Sequence, residues 1–321
     1  MAEFFEGLPV WANFLCFALG AGMIDRGAKL LVRSSISISE KTGIPKIVIG
    51  ATIMSVATTF PEFTVSLVAT ILGYNQMAVG NLVGSCACNI GLVCGCCVLI
   101  LPVAVKKRTL IEKGGVMVLG GLATLCFAFA GGVPRWGGLL LLAGFALYVK
   151  RTVSTAKYDQ TTVEPTEEGT SGLSKDILKF LGGMVFVGLA STLLVENGKQ
   201  IAVWFGVPPL IIALTLVALG TSLPELVTAI RSALMGHSEL SVGNVIGSNV
   251  LNLFWALGTC AVVRPLAMER QTLVLDSPFM ILLMTVLVLW GLLRGRLGRA
   301  SGAAILAIYA VYIALMLKFF T

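Results

Sequence analysis

The chain of 321 residues is too apolar for a soluble domain, since 57% of its residues are hydrophobic, only 12% are charged and its mean hydropathy is +0.94. Soluble domains carry about 25% charged residues, so the composition indicates a protein with several membrane spans. The formal net charge of +7 does not indicate nucleic-acid binding, because the basic residues stand singly or in short clusters between apolar runs, where they orient membrane segments.

Ten apolar runs are long enough to be membrane spans on the measure of about 20 residues per spanning helix. The predicted spans are 8–31, 46–72, 78–102, 114–132, 136–150, 177–198, 206–234, 241–263, 273–293 and 300–319. The amino terminus is acidic rather than basic, so we expect the first run to remain as a span instead of being cleaved as a signal peptide. The predicted fold class is an all-α polytopic membrane protein with ten transmembrane helices.

One long polar stretch divides the chain into two halves, 1–150 and 177–321. Residues 151–176 are rich in Thr, Ser, Glu and Gly and contain no apolar run, which predicts a linker. The distribution of Lys and Arg predicts that this linker is cytoplasmic and that both termini lie outside. Because each half has five spans, the second half enters the membrane in the opposite direction. Such inverted repeats are a device for alternating access.

The two halves share polar, glycine and proline residues at a constant separation of 163 positions, within stretches 50–95 and 213–258 and just before them. No gap is needed to align them. The paired residues are Gly43 and Gly206, Pro45 and Pro208, Thr52 and Thr215, Thr58 and Thr221, Pro61 and Pro224, Glu62 and Glu225, Gly80 and Gly243, Asn81 and Asn244, Gly84 and Gly247, Ser85 and Ser248, and Asn89 and Asn252. Chance does not select these residue types in an apolar background, so the chain is an internal duplication.

Each half places one glutamate, Glu62 or Glu225, deep in an apolar run. An unpaired charge at that depth costs roughly 3 kcal/mol or more, so an acid there is a functional hypothesis by default. On a helix, Thr58 and Thr59 share the face of Glu62. Pro61 lacks an N–H and therefore frees a backbone carbonyl one turn earlier. Carboxylate, hydroxyl and carbonyl oxygens suit hard cations such as calcium or sodium.

A second polar element follows each glutamate. Asn81, Ser85 and Asn89 are spaced by four residues, which stacks them on one helix face, and the second half repeats this spacing. Such side chains often form interhelical hydrogen bonds without binding any ion. A site that binds only protons and a purely structural role are the other possibilities. The pair of glutamates favours a cation site, because structural hydrogen bonding needs no charge.

Other polar residues and the cysteines admit simpler explanations. We expect Asp25, Arg26 and Asp276 to lie near the membrane interfaces. Five of the eight cysteines crowd residues 86–97. Converging thiolates would suit a soft metal, but in a membrane helix cysteine is more simply a small packing residue.

The two elements resemble the paired alpha repeats of the sodium/calcium exchanger family, within the wider cation/calcium exchanger group. That family carries Gly-Thr-Ser-x-Pro-Glu followed by Gly-Asn-x-x-Gly-Ser-Asn-x-x-Asn or Asp, once in each half. The second copy here, Gly220 to Glu225 and Gly243 to Asn252, fits at every position of the pattern. The first copy departs from it at Ala57, Thr59 and Cys86.

The resemblance implies a secondary antiporter that exchanges calcium for sodium in the cell membrane, with no cofactor and no catalytic residue. It implies that Glu62 and Glu225 are the principal calcium ligands and that the first and sixth spans slide as a gate. The remaining residues expected to line the site are Thr58, Thr59, Ser85, Asn89, Thr221, Ser222, Ser248 and Asn252. We expect the partners to be calcium, sodium and the lipid bilayer, and the protein to act as a monomer.

The driving ion stays open at this point. Many relatives have an aspartate at the last position of one copy, but here both are asparagine, Asn89 and Asn252, which leaves two acids. The nearest alternative is a proton-driven calcium antiporter. Relatives of that kind carry an acid inside the Gly-Asn element, where this chain has Gly84 and Ser85, and this favours sodium. A membrane enzyme with the glutamates as acid and base would need an asymmetric site, and a channel would not need two inverted halves.

Overall fold

The computed structural model describes residues 8–159, 172–206 and 220–320. Their helices are α1 (Val10–Thr42), α2 (Lys46–Leu72), α3 (Asn75–Ile100), α4 (Lys107–Phe129), α5 (Arg135–Asp159), α6 (Leu173–Trp204), α7 (Leu223–Leu234), α8 (Ser238–Val263), α9 (Thr272–Arg294) and α10 (Arg299–Phe319). Seven of them, all except α1, α5 and α7, are long and apolar enough to cross a membrane. This confirms a helical, multi-span protein, whereas the count of ten spans stays a prediction.

Several helices extend beyond the predicted spans. Helix α1 continues to Thr42, and Gly43 ends it with a left-handed backbone conformation (φ 66°). Hydropathy detects only the apolar part of a helix, so the polar residues 32–42 were not included in the predicted first span, although they continue the same helix. Both ends of the predicted linker 151–176 are helical, since α5 ends at Asp159 and α6 begins at Leu173. Residues 160–171 of that linker, and residues 207–219 of the predicted seventh span, lie outside the described residues.

Two short antiparallel ladders join the halves at the ends of the helices. Strand β1 (Val103–Ala104), after α3, pairs with β4 (Arg296–Leu297), before α10. Strand β2 (Gly132–Val133), after α4, pairs with β3 (Leu266–Ala267), after α8. Each ladder therefore links a segment of the first half to one of the second.

Helices α3 and α8 lie at the centre, and α8 crosses the start of α2 in backbone contact. A Cβ atom added at Gly243 would lie 2.3 Å from the carbonyl oxygen of Ile47, and one at Gly50 would lie 2.3 Å from that of Leu240. Only glycine fits at such a crossing. The close approach fixes the first motif helix against the second polar element.

Helices α1 and α6 pack against each other along most of their length, outside this centre. A Cβ atom at Gly183 would lie 2.9 Å from the backbone nitrogen of Leu31, so glycine again sets the separation. The buried carboxylate of Asp176 accepts a hydrogen bond from Ser37 (2.7 Å) and pairs with Lys41 (2.5 Å). The two helices are thus held together by packing and by charge.

Turns of π-helix interrupt the central helices at corresponding places. In α3 such a turn spans Asn89–Cys94, and in α8 it spans Leu251–Ala256. The helix α2 has one at Gly50–Met54, before the first motif. Turns of this type redirect side chains and are frequent at functional sites. The π turn of α3 begins at Asn89, and the π turn of α8 begins one residue before Asn252; both asparagines belong to the predicted site.

The cysteines lie on the helices as free thiols, and most are buried. Among the described residues, no three cysteine, histidine or acidic side chains converge as a metal site. Asp276 is buried, where it accepts a hydrogen bond from Tyr312 (3.0 Å) and another from Gln271 (3.3 Å), and its place near a membrane interface stays a prediction. These two donors lie on α10 and just before α9, and no sequence pattern predicts that they converge on one acid.

Candidate cation-binding site

The two motif glutamates lie side by side in the interior. The carboxylates of Glu62, on α2, and Glu225, on α7, are completely buried and interact with each other. No lysine or arginine of the described part of the chain forms an ion pair with either one. Two adjacent buried negative charges without a cationic side chain are costly, so the arrangement favours a positive ion between them.

Each carboxylate is contacted by a hydroxyl group from the opposite half. Ser222 donates to Oε1 of Glu62 (3.3 Å), and Thr59 donates to Oε1 of Glu225 (3.4 Å). Thr59 and Ser222 are paired by the 163-residue separation, as are the two glutamates. The same contact is therefore made twice, with the halves exchanged, which is the pattern expected when two related halves face each other.

A second exchanged pair of contacts surrounds the first. Thr58 donates to Oδ1 of Asn244 (3.3 Å), and Thr221 donates to Oδ1 of Asn81 (3.1 Å). Asn81 in turn donates to the carbonyl oxygen of Glu62 (3.2 Å). The asparagines thus orient the threonines and one glutamate backbone. Asn81 was predicted to lie on the polar helix face, but neither Asn81 nor Asn244 was among the predicted site residues.

The predicted serines contact the same groups. Ser85 lies 3.3 Å from the hydroxyl of Ser222. Ser248 lies 3.4 Å from the hydroxyl of Thr58 and donates to Oε1 of Glu225 (3.5 Å). Eight of the ten predicted residues therefore form two hydrogen-bonded clusters, one around each glutamate, and each cluster includes one of the two asparagines just described.

The remaining two predicted residues, Asn89 and Asn252, are completely buried, but no hydrogen bond joins them to the carboxylates within the described residues. Asn89 donates to Oδ1 of Asn249 (3.2 Å), and Asn249 donates to the carbonyl oxygen of Cys86 (3.2 Å). Asn249 corresponds to Cys86 at the 163-residue separation. The hydrogen bond between the side chains of Asn89 and Asn249 therefore has no equivalent at Asn252, because the residue that corresponds to Asn249 is Cys86, which lacks a side-chain amide.

The second motif does not adopt the helical geometry expected from the first. Thr58 and Thr59 lie within α2, which continues through Pro61. Thr221 and Ser222 instead form a turn, and α7 begins at Leu223. Pro224 is tolerated in the first turn of α7, because a missing N–H costs nothing there. The turn still presents both hydroxyl groups to the first half.

Buried acceptor oxygens without donors remain among the predicted site residues. Both carboxylates keep one oxygen, Oε2, for which the described residues provide no hydrogen-bond donor. The same holds for Oδ1 of Asn89 and Oδ1 of Asn252, while two amide nitrogens, Nδ2 of Asn244 and Nδ2 of Asn252, have no acceptor among the described residues. Buried polar atoms are usually satisfied. These four oxygens, all of them acceptors, match the preference of calcium and sodium for oxygen ligands.

A family model described as "Sodium/calcium exchanger protein" matches residues 12–152 and 175–318, which is most of the chain. The chain belongs to the sodium/calcium exchanger family. It is a membrane transporter rather than an enzyme, as the sequence predicted, and the family implies calcium and sodium as the transported ions.

Individual relatives agree over nearly the full length. The sodium/calcium exchanger MaX1 of Methanosarcina acetivorans is 27% identical, over 96% of this chain and 99% of its own. The inner membrane protein YrbG of Escherichia coli is 29% identical, over 93% of this chain and 94% of its own. The solved structure of the sodium-calcium exchanger NCX_Mj soaked with 10 mM Na+ and 10 mM Sr2+ superimposes with a TM-score of 0.82 at 29% identity, over 95% of this chain and 99% of that one.

Proposed function

We propose that this member of the sodium/calcium exchanger family moves calcium in one direction and sodium in the other through the site between Glu62 and Glu225. The observation that supports this most directly is the set of four buried acceptor oxygens that lack donors, on Glu62, Glu225, Asn89 and Asn252. A dehydrated cation satisfies such oxygens, whereas a structural hydrogen-bond network would already contain their donors.

The negative charge of the site supports calcium and sodium as the two exchanged ions. Two carboxylates balance one calcium ion or two sodium ions. The asparagines at Asn89 and Asn252 contribute oxygen without charge. Binding of either ion set leaves the site close to neutral, so calcium and sodium compete for the same negative charge, and such competition is the basis of exchange.

We propose that access to the site alternates between the two sides of the membrane. The exchanged contacts from Thr59 to Glu225 and from Ser222 to Glu62 support a pseudo-symmetric centre, which inverted repeats use to switch conformations. The mobile part would be α1 and α6, which pack together and contain none of the predicted ligands. In our proposal, the protein lies in the cell membrane with both termini outside and residues 151–176 inside.

Calcium flux in proteoliposomes tests the proposal. Purified protein is reconstituted, and calcium uptake is measured with an imposed sodium gradient, with an imposed proton gradient, and with neither. We expect outward sodium gradients to drive calcium uptake and proton gradients to have no effect. Uptake that follows the proton gradient in sodium-free solution would instead assign a proton-driven calcium antiporter. Calcium movement without any counter-ion would indicate a channel.

A further inference from the structure

The chain's only histidine, His237, lies in the turn between α7 and α8. Gly236, just before it, has a left-handed backbone conformation (φ 83°), and the backbone N–H of His237 donates to the carbonyl oxygen of Ser232 (2.8 Å). These backbone features fix the position of His237 between the helix that carries Glu225 and the helix that carries Ser248. Calcium exchange between the two glutamates does not use this side chain.

The imidazole ring is part of a cluster of four titratable side chains. Nδ1 of His237 lies 3.2 Å from Nζ of Lys46, the first residue of α2. An ammonium group can only donate, so Nδ1 accepts, and the proton of the neutral ring lies on Nε2. Nδ1 also lies 3.8 Å from Oε1 of Glu239, and Nζ of Lys46 lies 3.9 Å from Oε1 of Glu40 on α1. The His237 cluster, formed by these four residues, therefore connects α1, α2 and the α7–α8 turn.

The His237 cluster lies at the ends of the helices, where water reaches it. It borders a cavity of about 680 Å³, whose lining includes four charged side chains and the two chain neighbours of His237: Glu40, Lys46, Lys106, Glu239, Gly236 and Ser238. The side chains of Lys46 and His237 are each about one quarter exposed. Burial and the ammonium group of Lys46 lower the pKa of His237, and the carboxylates of Glu239 and Glu40 oppose this shift.

Protonation of His237 changes which groups of the cluster attract each other. A charged imidazole carries a proton on both nitrogens, so it cannot accept from Lys46, and the two cations repel. The charged ring is instead attracted to Glu239, and the released ammonium group is attracted to Glu40. Falling pH favours this second arrangement, because the contact with Lys46 lowers the pKa of His237 and an arrangement without that contact binds the proton more tightly.

The two arrangements connect different parts of the transporter. Lys46 precedes Ile47, whose carbonyl oxygen lies at the close crossing of α2 and α8. With a neutral ring, Lys46 links α2 to the α7–α8 turn; with a charged ring, it links α2 to Glu40 of α1. The other half has no such cluster, since no residue at the four paired positions changes charge between about pH 5 and 8. These residues are Val203, Pro209, Tyr74 and Gln76.

We propose that His237 is a regulatory proton-binding site on the cytoplasmic side, and that its protonation moves Lys46 to Glu40, holds α1 against α2 and slows exchange. This inference rests on the proposed function, in which α1 and α6 slide against the centre and the α7–α8 turn faces the cytoplasm. Such a proton inhibits exchange without being transported, because it binds outside the membrane spans rather than between Glu62 and Glu225.

Nuclear magnetic resonance of protein with isotope-labelled histidine and no histidine tag tests the proton site. His237 gives the only imidazole signal, and its chemical shift is followed from about pH 8 to about pH 4.5. We expect a midpoint below pH 6.5, and Lys46→Gln should move the midpoint to higher pH because it removes the neighbouring positive charge. Lys106→Gln is the matched control and should leave the midpoint in place, since Lys106 is exposed in the same cavity, where solvent screens its charge.

Sodium-driven calcium uptake in proteoliposomes, with the same pH on both sides, tests the regulation. Saturating calcium removes the competition of protons for the two site glutamates, so that only the maximal rate is compared. Between about pH 7.5 and about pH 5.5, the parent and Lys106→Gln should lose about half of this rate or more. His237→Gln keeps an acceptor for Lys46 but gains no charge, and Glu40→Gln removes the acceptor on α1, so both should retain most of the rate.

Two results would overturn the proton site. One is a midpoint for His237 that Lys46→Gln does not move. The other is a maximal rate that falls as much in His237→Gln and Glu40→Gln as in the parent. A parent that exchanges no calcium at any pH would refute the proposed function and this inference with it, whereas the first two results overturn the inference alone.

Discussion

The sharpest consequence of the site geometry concerns Glu62→Gln and Glu225→Gln. Either change keeps the shape of the side chain and one oxygen that can accept the hydrogen bond from Ser222 (at residue 62) or from Thr59 (at residue 225). It removes one of the two buried negative charges. Breaking one partner of a buried, hydrogen-bonded charge pair costs about 2–5 kcal/mol. Since about 1.4 kcal/mol is a factor of ten, calcium affinity should fall by about 30- to 4,000-fold.

The same substitution should have the opposite effect on the protein without calcium. Glu62 and Glu225 are buried next to each other without a cationic side chain among the described residues. Removing one of two such charges relieves repulsion, so the variants should unfold at the parental temperature or above it in calcium-free solution. A loss of affinity that merely reflected misfolding would lower this temperature.

Thermal unfolding in detergent, with and without calcium, measures both effects. At a calcium concentration 100 times Kd, binding stabilises the parent by about 2.7 kcal/mol, and a 100-fold weaker Kd reduces this to about 0.4 kcal/mol. Glu239→Gln, outside the site at the start of α8, is the control and should retain the calcium shift. Calcium does not bind between Glu62 and Glu225 if either site variant is stabilised by calcium as much as the parent, or exchanges calcium at the parental rate in proteoliposomes.

Two further predictions concern the second half. Asn252→Asp adds a third buried carboxylate to the predicted site and should change which monovalent ion drives calcium uptake; unchanged ion dependence in proteoliposomes would mean that Asn252 does not face the site. Gly243→Ala should lower stability by about 1–3 kcal/mol, because its Cβ would lie 2.3 Å from the carbonyl oxygen of Ile47. Gly22→Ala, on an exposed face of α1 with no atom within 4 Å, should leave the thermal unfolding temperature unchanged or raise it.

The helical class and the identity of the two central acids were accessible from sequence because each leaves a pattern along the chain. Apolar runs mark helices in the membrane, and the constant separation of Glu62 and Glu225 marks a duplication. Partners across the halves leave no such pattern. Thr58 could face either Asn81 or Asn244 as far as spacing is concerned, and only the fold shows that it contacts Asn244.

Local backbone geometry was also beyond the sequence. The two motifs have nearly the same residues, yet α2 continues through Pro61 while α7 begins at Leu223, just before Pro224. A proline is compatible with both positions, so the residue alone does not decide between a kinked helix and a helix start. The π turn that begins at Asn89 likewise has no simple sequence rule. These features determine where the asparagine oxygens point, which spacing by four could not.

Asymmetry between the halves was hidden for a related reason. A repeat is detected by what its copies share, but Cys86 and Asn249 differ at paired positions. Asn249 accepts a hydrogen bond from Asn89, whereas Cys86 has no amide oxygen with which to accept one from Asn252. The departure was visible in the sequence as a mismatch, and its consequence became visible only when the contacts of both residues were known.

A last prediction follows from another asymmetric contact, the ion pair between Asp25 of α1 and Arg231 of α7. The paired positions in the other half are Gly188 and Val68, so no equivalent pair can form there. If α1 and α6 slide against the centre, this contact stabilises one of the two states.

Partly exposed ion pairs contribute up to about 1 kcal/mol, so Arg231→Gln should shift the balance of states by up to about fivefold. Single cysteines at 14–24 and 183–193, in a background without native cysteines, report the shift as labelling from the two sides. Lys29→Gln is the matched control, because Lys29 pairs with Asp25 on the same helix (2.9 Å) and does not connect α1 to α7. Labelling that changes equally in both variants, or that ignores calcium and sodium at every position, would contradict a sliding α1 and α6.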